Sequence, residues 1–156
     1  MNKKYMQTAI EKAKKGLENI GEGPFGACVV KNGEVLATAN NRVVKNNDPT
    51  AHAEILSIRE ASKKLKTFKL SGCEIYSTCE PCPMCLAAIY WSRIDTLYFG
   101  ADRKDAAKVN FDDKFFYKEL QKPITERSLE EIGDVLKNEC LELFKTWEKK
   151  KDKVLY

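Results

Sequence analysis

Apolar residues recur along this chain at spacings that alternate between helix and strand, and these spacings predict the order of its elements. The first segment predicts a helix that ends near Asn19, because Gly21 and Gly23 follow closely. Its apolar stripe consists of Tyr5, Ala9, Ala13 and Leu17. One side of this helix is therefore expected to pack on the rest of the protein.

A β-hairpin is predicted next, because two β-prone runs in GACVVKNGEVLATAN flank the dipeptide Asn32-Gly33. A second helix is predicted to start at Asp48 and Pro49, which suit its cap and its first position. Its buried stripe would consist of Ile55, Ile58 and Leu65.

The second half of the chain continues this alternation. Strands are predicted at 73–79 and 94–101, with a helix between them that opens at the prolines of PCPMCLAAIYWS. Beyond Phe111 the pattern is weaker, and it predicts helices near 114–120 and 134–151. Strands that alternate with helices favour a layered α/β fold with parallel later strands. Active residues should then lie at strand ends and helix starts.

Length and composition are those of one globular domain, which we expect to span residues 1–156. Charged residues make up 32% of the 156 positions and hydrophobic residues 43%. No apolar run approaches the roughly 18 residues of a membrane span. The first residues also lack the apolar core of an export signal. We therefore expect a cytoplasmic protein without a membrane segment.

The charge of the chain is mildly basic and well mixed, with 27 basic and 23 acidic residues and a net charge of +4. A solvated surface explains this mixture better than a nucleic-acid-binding face. Even the basic run WEKKKDKVLY is interrupted by an acid on either side of its lysines. Binding to nucleic acid is therefore not expected.

Candidate chemistry concentrates in two short motifs, TAHAE at 50–54 and PCPMC at 81–85. His52 is the only histidine, and Cys82 and Cys85 form a Cys-x-x-Cys pair at a predicted helix start. Residues three apart share one face of a helix, and a helix N-terminus lowers the pKa of a thiol. Two thiolates and one imidazole can hold zinc with one coordination position open, as a catalytic zinc requires.

Other interpretations of these residues stay open at the level of sequence. A redox pair would use Cys82 and Cys85 but would leave His52 and the nearby Glu54 without a role. A structural zinc would need a fourth ligand, for which Cys79 is nearest, and a non-catalytic zinc module would not need Glu54. Residues two apart on a helix also point in nearly opposite directions. His52 and Glu54 can therefore meet at one metal only in the first turn of the helix.

His-Ala-Glu at 52–54 followed by Pro-Cys-x-x-Cys at 81–85 resembles the zinc-dependent nucleobase deaminases of the cytidine deaminase superfamily. The resemblance covers most of the chain and includes GPFGA at 23–27, NDPTAHAE at 47–54 and CEPCPMCLAAIYWSR at 79–93.

This resemblance implies a three-layer α/β/α cytidine-deaminase-like fold, with a mixed five-stranded sheet between helices. It also implies one zinc ion per subunit, held by His52, Cys82 and Cys85, with Glu54 as proton shuttle. Hydroxide formed on the zinc would attack the ring carbon that bears the amine of the base.

The segments that flank the two zinc-binding motifs are expected to determine which base the protein binds. By the same resemblance, Asn41 holds the edge of the base and Ala53 lines the pocket beside the shuttle. The other role open to Asn41 is that of a turn residue at the end of the hairpin. Aromatic rings stack on bases, so several are candidate pocket walls, although core packing is their other role. These candidates are Phe25, Trp91, Phe115, Phe116 and Tyr117.

The segment DAAKVNFDDKFFYKEL at 105–120 resembles guanine deaminases of the bacterial, cytidine-deaminase-fold type, as do the chain length and the final tyrosine. The resemblance implies hydrolysis of guanine to xanthine and ammonia, with Asp113 in contact with the purine. A carboxylate suits guanine, which offers N1–H and 2-amino donors. Asp112 could exchange roles with Asp113, and both could instead form a solvated acidic turn.

The same resemblance implies a homodimer that exchanges its C-terminal segment, about residues 130–156, so that Tyr156 closes the pocket of the partner subunit. The alternative function is a tRNA-specific adenosine deaminase, because LKNECLELFKTWEKKK at 136–151 is similar to the last helix of that family. The paired aspartates argue against it, since they would repel a phosphate backbone. Free cytosine and pterin-like or triazine amines are weaker alternatives.

Overall fold

The computed structural model describes residues 2–155 and divides the chain into two compact units, Met1–Asp113 and Lys114–Tyr156. The elements of the first unit are α1 (Lys3–Leu17), β1 (Gly26–Lys31), β2 (Glu34–Asn40), α2 (Val43–Asn46), α3 (Ala53–Leu65), β3 (Cys73–Cys79), α4 (Pro83–Trp91), β4 (Thr96–Ala101) and α5 (Arg103–Ala107). Those of the second are α6 (Lys114–Gln121), a short 3-10 helix (Ile124–Glu126) and α7 (Lys137–Lys149).

The strands of the first unit form one mixed sheet in the order β2-β1-β3-β4. β1 is antiparallel to both β2 and β3, whereas β3 and β4 are parallel. The mixed α/β fold and its parallel later strands are thus confirmed. The expected fifth strand does not occur among residues 2–155, because beyond Ala101 the chain forms helices, turns and irregular segments that do not pair with β4.

The β1–β2 hairpin turns at the predicted dipeptide. Asn32 and Gly33 both have positive φ angles, 50° and 83°. Two successive residues of this kind make the mirror-image turn whose twist matches that of the flanking strands. The local sequence therefore determines this part of the fold.

Helices cover both faces of the sheet. Alternate residues of a strand point to opposite faces. Val30 of β1 lies in an apolar cluster with Ala9 of α1. Its neighbour Val29 lies in a second cluster with Ala61 of α3 and Ile89 of α4. The result is three layers, with α1 on one face and α3 and α4 on the other.

The buried stripe of α1 differs from its prediction at the C-terminal end. Ala9 and Ala13 are buried as expected, but Leu17 is 59% exposed. Gly16 is buried in its place. A Cβ at Gly16 would lie 2.3 Å from Nδ2 of Asn40, so only glycine allows this close approach.

The helix that carries the histidine motif begins later than predicted. Asp48 does not cap a helix but accepts hydrogen bonds from the backbone N–H and the hydroxyl of Thr50, at 2.8 and 2.7 Å. Such an Asx turn competes with helix formation. α3 therefore starts at Ala53, and His52 lies immediately before it.

The second unit consists of amphipathic helices with exposed apolar faces. No residue of α6 or α7 is buried. The exposed apolar side chains of these two helices include Phe115, Phe116, Leu120, Leu141, Leu143, Phe144 and Trp147. None of the helices in residues 2–155 combines the length and the apolar character that crossing a membrane requires.

Candidate active site

Two helix starts bring the predicted metal ligands together. His52 is the N-cap residue of α3, with an extended backbone (φ −71°, ψ 154°), and Cys82 is the N-cap residue of α4 (φ −64°, ψ 168°). Cys85 lies in the first turn of α4, three residues further on. Pro83 supports this arrangement because proline fits the first position of a helix, where no N–H is needed.

The three side chains converge at distances that fit zinc. Nδ1 of His52 lies 3.7 Å from Sγ of Cys82 and 3.5 Å from Sγ of Cys85. Tetrahedral zinc with ordinary bond lengths would separate a nitrogen and a sulfur ligand by about 3.6 Å. All three ligand atoms lie within 4.8 Å of one another. The donor set and its spacing therefore fit one zinc ion.

The structure offers no fourth protein ligand at this cluster within residues 2–155. Cys79 was the nearest candidate, but it does not belong to the group of converging metal-ligand atoms. Its Sγ instead donates to the backbone oxygen of Asp102 at 3.7 Å, and burial raises its pKa to about 11. Three ligands with an open position match a catalytic rather than a structural zinc site.

Hydrogen bonds within the cluster shift the pKa values of all three ligands. A hydrogen bond from Cys85 lowers the pKa of the Cys82 thiol to about 4, and His52 acts in the same direction. The hydrogen bond to Cys82, together with burial, raises the pKa of Cys85 above its ordinary value. The hydrogen bond to Cys82 also raises the pKa of His52. Among the three ligands, Cys82 is the one whose thiolate form these hydrogen bonds favour.

Glu54 is buried beside the cluster, with only 6% of its surface exposed. Its Oε2 lies 3.5 Å from Sγ of Cys85. Burial raises the pKa of this carboxyl. Residues two apart within a helix would point in nearly opposite directions, but His52 has an extended backbone and precedes the helix. The side chains of His52 and Glu54 can therefore reach the same point.

Ser77 of β3 is a residue of the site that the sequence analysis missed. Its hydroxyl donates to Oε1 of Glu54 at 3.0 Å, and Ser77 is only 1% exposed. One carboxylate oxygen is thereby fixed, and the other is left facing the ligands. The signal in the sequence was a polar residue on the same strand face as Ile75, which belongs to the apolar core.

Asn41 and Phe25, two predicted base contacts, lie in adjacent segments. The N–H of Asn41 donates to the backbone oxygen of Phe25 at 2.9 Å. Oδ1 of Asn41 accepts from the N–H of Val43 at 3.2 Å. Ala53, which was predicted to line the pocket beside Glu54, is completely buried at the start of α3.

Asp113 lies within electrostatic range of the zinc ligands. Burial raises its pKa first, and the negative charge of Cys82 raises it further. The preceding segment also touches a predicted pocket residue, because the ring of Phe111 meets that of Phe25 edge to face at a centroid distance of 4.9 Å. Phe111 was not predicted for the site. Asp112 is exposed.

Trp91 lies at the opposite end of α4 from Cys82. Trp91 is the last residue of α4, nine residues beyond Cys82, and it is 60% exposed. The guanidinium of Arg93 lies 5.7 Å from the centre of its ring. Phe115, Phe116 and Tyr117 belong to the second unit. Tyr156 lies outside the described residues.

Comparison with known proteins gives consistent matches. The family described as the cytidine and deoxycytidylate deaminase zinc-binding region matches residues 1–101. Guanine deaminase of Bacillus subtilis (strain 168) is 44% identical over 143 residues, which cover 92% of this chain and 91% of that protein. The tRNA-specific adenosine deaminase of Aquifex aeolicus (strain VF5) is 46% identical over 112 residues, covering 70% of this chain and 74% of that protein.

Solved structures show the same relationships. The X-ray structure of the Bacillus subtilis guanine deaminase is 43% identical with a TM-score of 0.95, covering 100% of this chain and 99% of that chain. A guanine deaminase structure from Nitrosomonas europaea is 32% identical with a TM-score of 0.69, covering 72% of this chain and 65% of that chain.

Proposed function

Since this chain belongs to the family of cytidine and deoxycytidylate deaminases with a common zinc-binding region, we propose that it hydrolyses guanine to xanthine and ammonia. The observation that carries the proposal is a buried carboxylate, Glu54, held against three converging zinc ligands. The extensive match to guanine deaminase of Bacillus subtilis supports the choice of base.

The metal ligands and Glu54 have different roles in the proposed reaction. Zinc, when bound by His52, Cys82 and Cys85, supplies a Lewis acid that lowers the pKa of a coordinated water to about 7. Oε2 of Glu54 accepts the proton that water loses as its oxygen attacks the carbon bearing the 2-amino group. The carboxyl group passes this proton to a ring nitrogen, then takes the second proton of the original water from the newly bound oxygen and delivers it to the amine. One C–O bond forms, one C–N bond breaks, and the amine leaves as ammonia.

The surroundings of Glu54 suit this double role. A shuttle must hold a proton between two steps, and burial favours the protonated form. The hydroxyl of Ser77 engages only Oε1, so Oε2 is the oxygen that exchanges protons at the zinc ligands.

We further propose that Asp113 recognises guanine. A carboxylate accepts hydrogen bonds from N1–H and from the 2-amino group, whereas adenine and cytosine present fewer donors at this edge. A buried site built for such bonds rejects analogues that lack them. Asn41 is proposed to bind acceptors on the base, with Ala53 and Phe25 as walls of the pocket.

The first experiment measures ammonia release by the zinc-loaded protein from separate substrates. These are guanine, guanosine, adenine, cytosine, cytidine and a tRNA anticodon stem. We expect release from guanine, with xanthine as the product. Release from the RNA alone would support the alternative function, a tRNA-specific adenosine deaminase. The match to the Aquifex aeolicus enzyme is the observation behind this alternative.

The Glu54→Gln variant tests the shuttle. Glutamine keeps the size and the hydrogen bond of the side chain but cannot exchange the proton, so kcat should fall by about 10²–10⁴-fold. Zinc content, measured by metal analysis, should stay at one ion per chain. Undiminished turnover would exclude Glu54 as the proton carrier, and loss of zinc would indicate a structural role.

We propose that residues 1–156 form one deaminase domain that works as a homodimer, with the C-terminal segment, about 130–156, exchanged between subunits. The exposed apolar face of α7 supports this arrangement, since Leu143 and Phe144 are 69% and 70% exposed and need a surface to cover them. Tyr156 of the exchanged segment would then complete the pocket of the partner subunit.

A cytoplasmic location is the final part of the proposal. All six cysteines are free, including the pair that must stay reduced to bind zinc. Free thiols persist in the reducing environment of the cytoplasm.

A further inference from the structure

A second buried carboxylate, Glu22, lies outside the catalytic cluster in the segment between α1 and β1. Only 3% of its side chain is exposed. Its Oε2 accepts a hydrogen bond from Nδ2 of Asn40 at 2.6 Å, and its Oε1 accepts one from Nζ of Lys45 at 2.5 Å. Nε of Arg42, itself buried, lies 3.7 Å from Oε1. A charge withdrawn from solvent requires such partners, because burial without compensation is costly.

The partners of Glu22 surround Asn41 in the sequence. Asn40 precedes it, Arg42 follows it, and Lys45 belongs to the short helix α2. The other side of this segment is tied to the metal site, because the N–H of Arg42 donates to the backbone oxygen of Ala51 at 2.9 Å. Ala51 directly precedes His52. The segment carrying Asn41 is thus fixed between Glu22 and a metal ligand.

The orientation of the Asn41 amide depends on α2. Oδ1 accepts the N–H of Val43, the first residue of α2, so Nδ2 must point the other way. The hydrogen bond from Val43 engages only Oδ1 and leaves Nδ2 of Asn41 out. Nδ2 is therefore available to a carbonyl oxygen or ring nitrogen of a base. The ion pair between Glu22 and Lys45 fixes α2 and, through it, the direction of this donor.

We propose that Glu22 is a positioning residue for base binding, which holds the segment 40–45 so that the amide of Asn41 presents its N–H donors to the purine. This inference rests on the proposed function. Glu22 itself does not touch the base. Its negative charge is needed because glutamine could still accept from Asn40 but could not neutralise Lys45 and Arg42.

The test measures guanine binding in a background that cannot turn it over. The Glu54→Gln protein and the Glu22→Gln/Glu54→Gln protein are titrated with guanine by calorimetry, and their zinc content is measured. We expect the second protein to keep its zinc and to bind guanine about tenfold more weakly or worse, because small displacements of a positioning group have effects of this size. Glu34→Gln in the same background is the matched control. Glu34 also forms an ion pair, with Lys64, but lies at the exposed turn end of β2.

In the active enzyme, Glu22→Gln should raise KM for guanine about tenfold and leave kcat within about twofold, since binding rather than chemistry is affected. If the Glu22→Gln protein does not fold, Lys45→Met removes the same ion pair from the other side and should give the same result. Unchanged affinity in both variants would overturn the inference. So would zinc loss or an equal fall in kcat, either of which indicates a general structural role.

The two proposals fail in different ways. If the Glu54→Gln protein binds guanine and Glu22→Gln does not weaken this binding, only the positioning role is wrong. If the Glu54→Gln protein binds no guanine at all, the proposed substrate is wrong, and the inference about Glu22 fails with it.

Discussion

At the scale of single residues, the two oxygens of Glu54 have different environments. Oε1 is bonded to the hydroxyl of Ser77, and Oε2 lies by the sulfur of Cys85. The hydroxyl of Ser77 donates a hydrogen bond to Glu54, so it favours the ionised carboxylate and fixes its orientation. A shuttle held in this way does not need to reorient before it accepts a proton, and we expect Ser77 to contribute to kcat.

Replacing Ser77 by alanine should therefore lower kcat about tenfold to a hundredfold with little change in KM, because the carboxylate loses its orientation. Ser57→Ala is the matched control. Ser57 is also buried, and its hydroxyl donates to the backbone oxygen of Ala27 at 3.2 Å. Each variant should lose about 1 kcal/mol of stability. Steady-state kinetics and thermal melting compare them, and equal kcat values would contradict a role for Ser77 at Glu54.

At the scale of elements, the starts of α3 and α4 form the metal site. His52 and Cys82 are both N-cap residues whose side chains are not used to cap their helices. Their side chains instead converge with that of Cys85 in the first turn of α4. A metal ion bound there links α3 to α4 and adds its binding free energy to the stability of the folded state.

Zinc should accordingly raise Tm, and a chelator should lower it. The expected gain is about 2.7 kcal/mol at a free zinc concentration 100-fold above Kd. Differential scanning calorimetry of the chelator-treated protein, before and after addition of zinc, measures the effect. The His52→Ala protein should lose most of this response. A zinc-independent Tm in the unmodified protein would contradict the assignment of the ligands.

The connection between β2 and α2 should respond to pH through Glu22. Hydrogen bonds from Lys45 and Asn40 hold the pKa of this carboxyl below its ordinary value of 4.5. A carboxyl whose pKa is lower in the folded state contributes stability that is complete above the unfolded pKa and is lost as the pH falls through the folded pKa.

Glu22→Gln should therefore lower Tm at about pH 7, and the difference from the unmodified protein should shrink below about pH 4.5. Melting curves of both proteins across this range measure it, with Glu34→Gln again as control. A difference in Tm that is constant with pH would mean that the charge of Glu22 does not stabilise the fold.

At the scale of the whole molecule, the two units differ in how they bury their apolar residues. The first has a buried apolar cluster on each face of its sheet. The second has no buried residue in α6 or α7. Amphipathic helices gain most of their stability from packing, so this unit is expected to depend on an apolar partner surface, which the proposed dimer would supply.

Complementation between two inactive proteins tests the exchange of the C-terminal segment. One protein carries Glu54→Gln, and the other lacks residues 150–156 and so lacks Tyr156. A mixed dimer with exchanged segments would contain one complete site, so activity should return to about a quarter of the wild-type level after random re-pairing. Light scattering confirms the dimer mass. A monomer mass, or mixtures as inactive as their components, would exclude the exchange.

Features that depend on neighbouring residues could be predicted before the fold was known. Local backbone preferences of neighbouring residues are sufficient to predict several elements. These are the Asn32-Gly33 turn, the strand at 73–79 and the helix that begins at Pro83. The donor set His52, Cys82 and Cys85, which we propose as the zinc ligands, was also predictable, because few residue types bind zinc and the chain has one histidine.

Contacts between residues that are distant in the chain could not be predicted in this way. Ser77 reaches Glu54 across 23 positions, and Glu22 reaches Asn40 across 18, because the sheet order brings their segments together. The same packing leaves Trp91 at the far end of α4 and Leu17 exposed. The spacing of apolar residues shows which side of a helix or strand is apolar. Which residues it contacts across the sheet depends on topology and register, and no local sequence pattern encodes these.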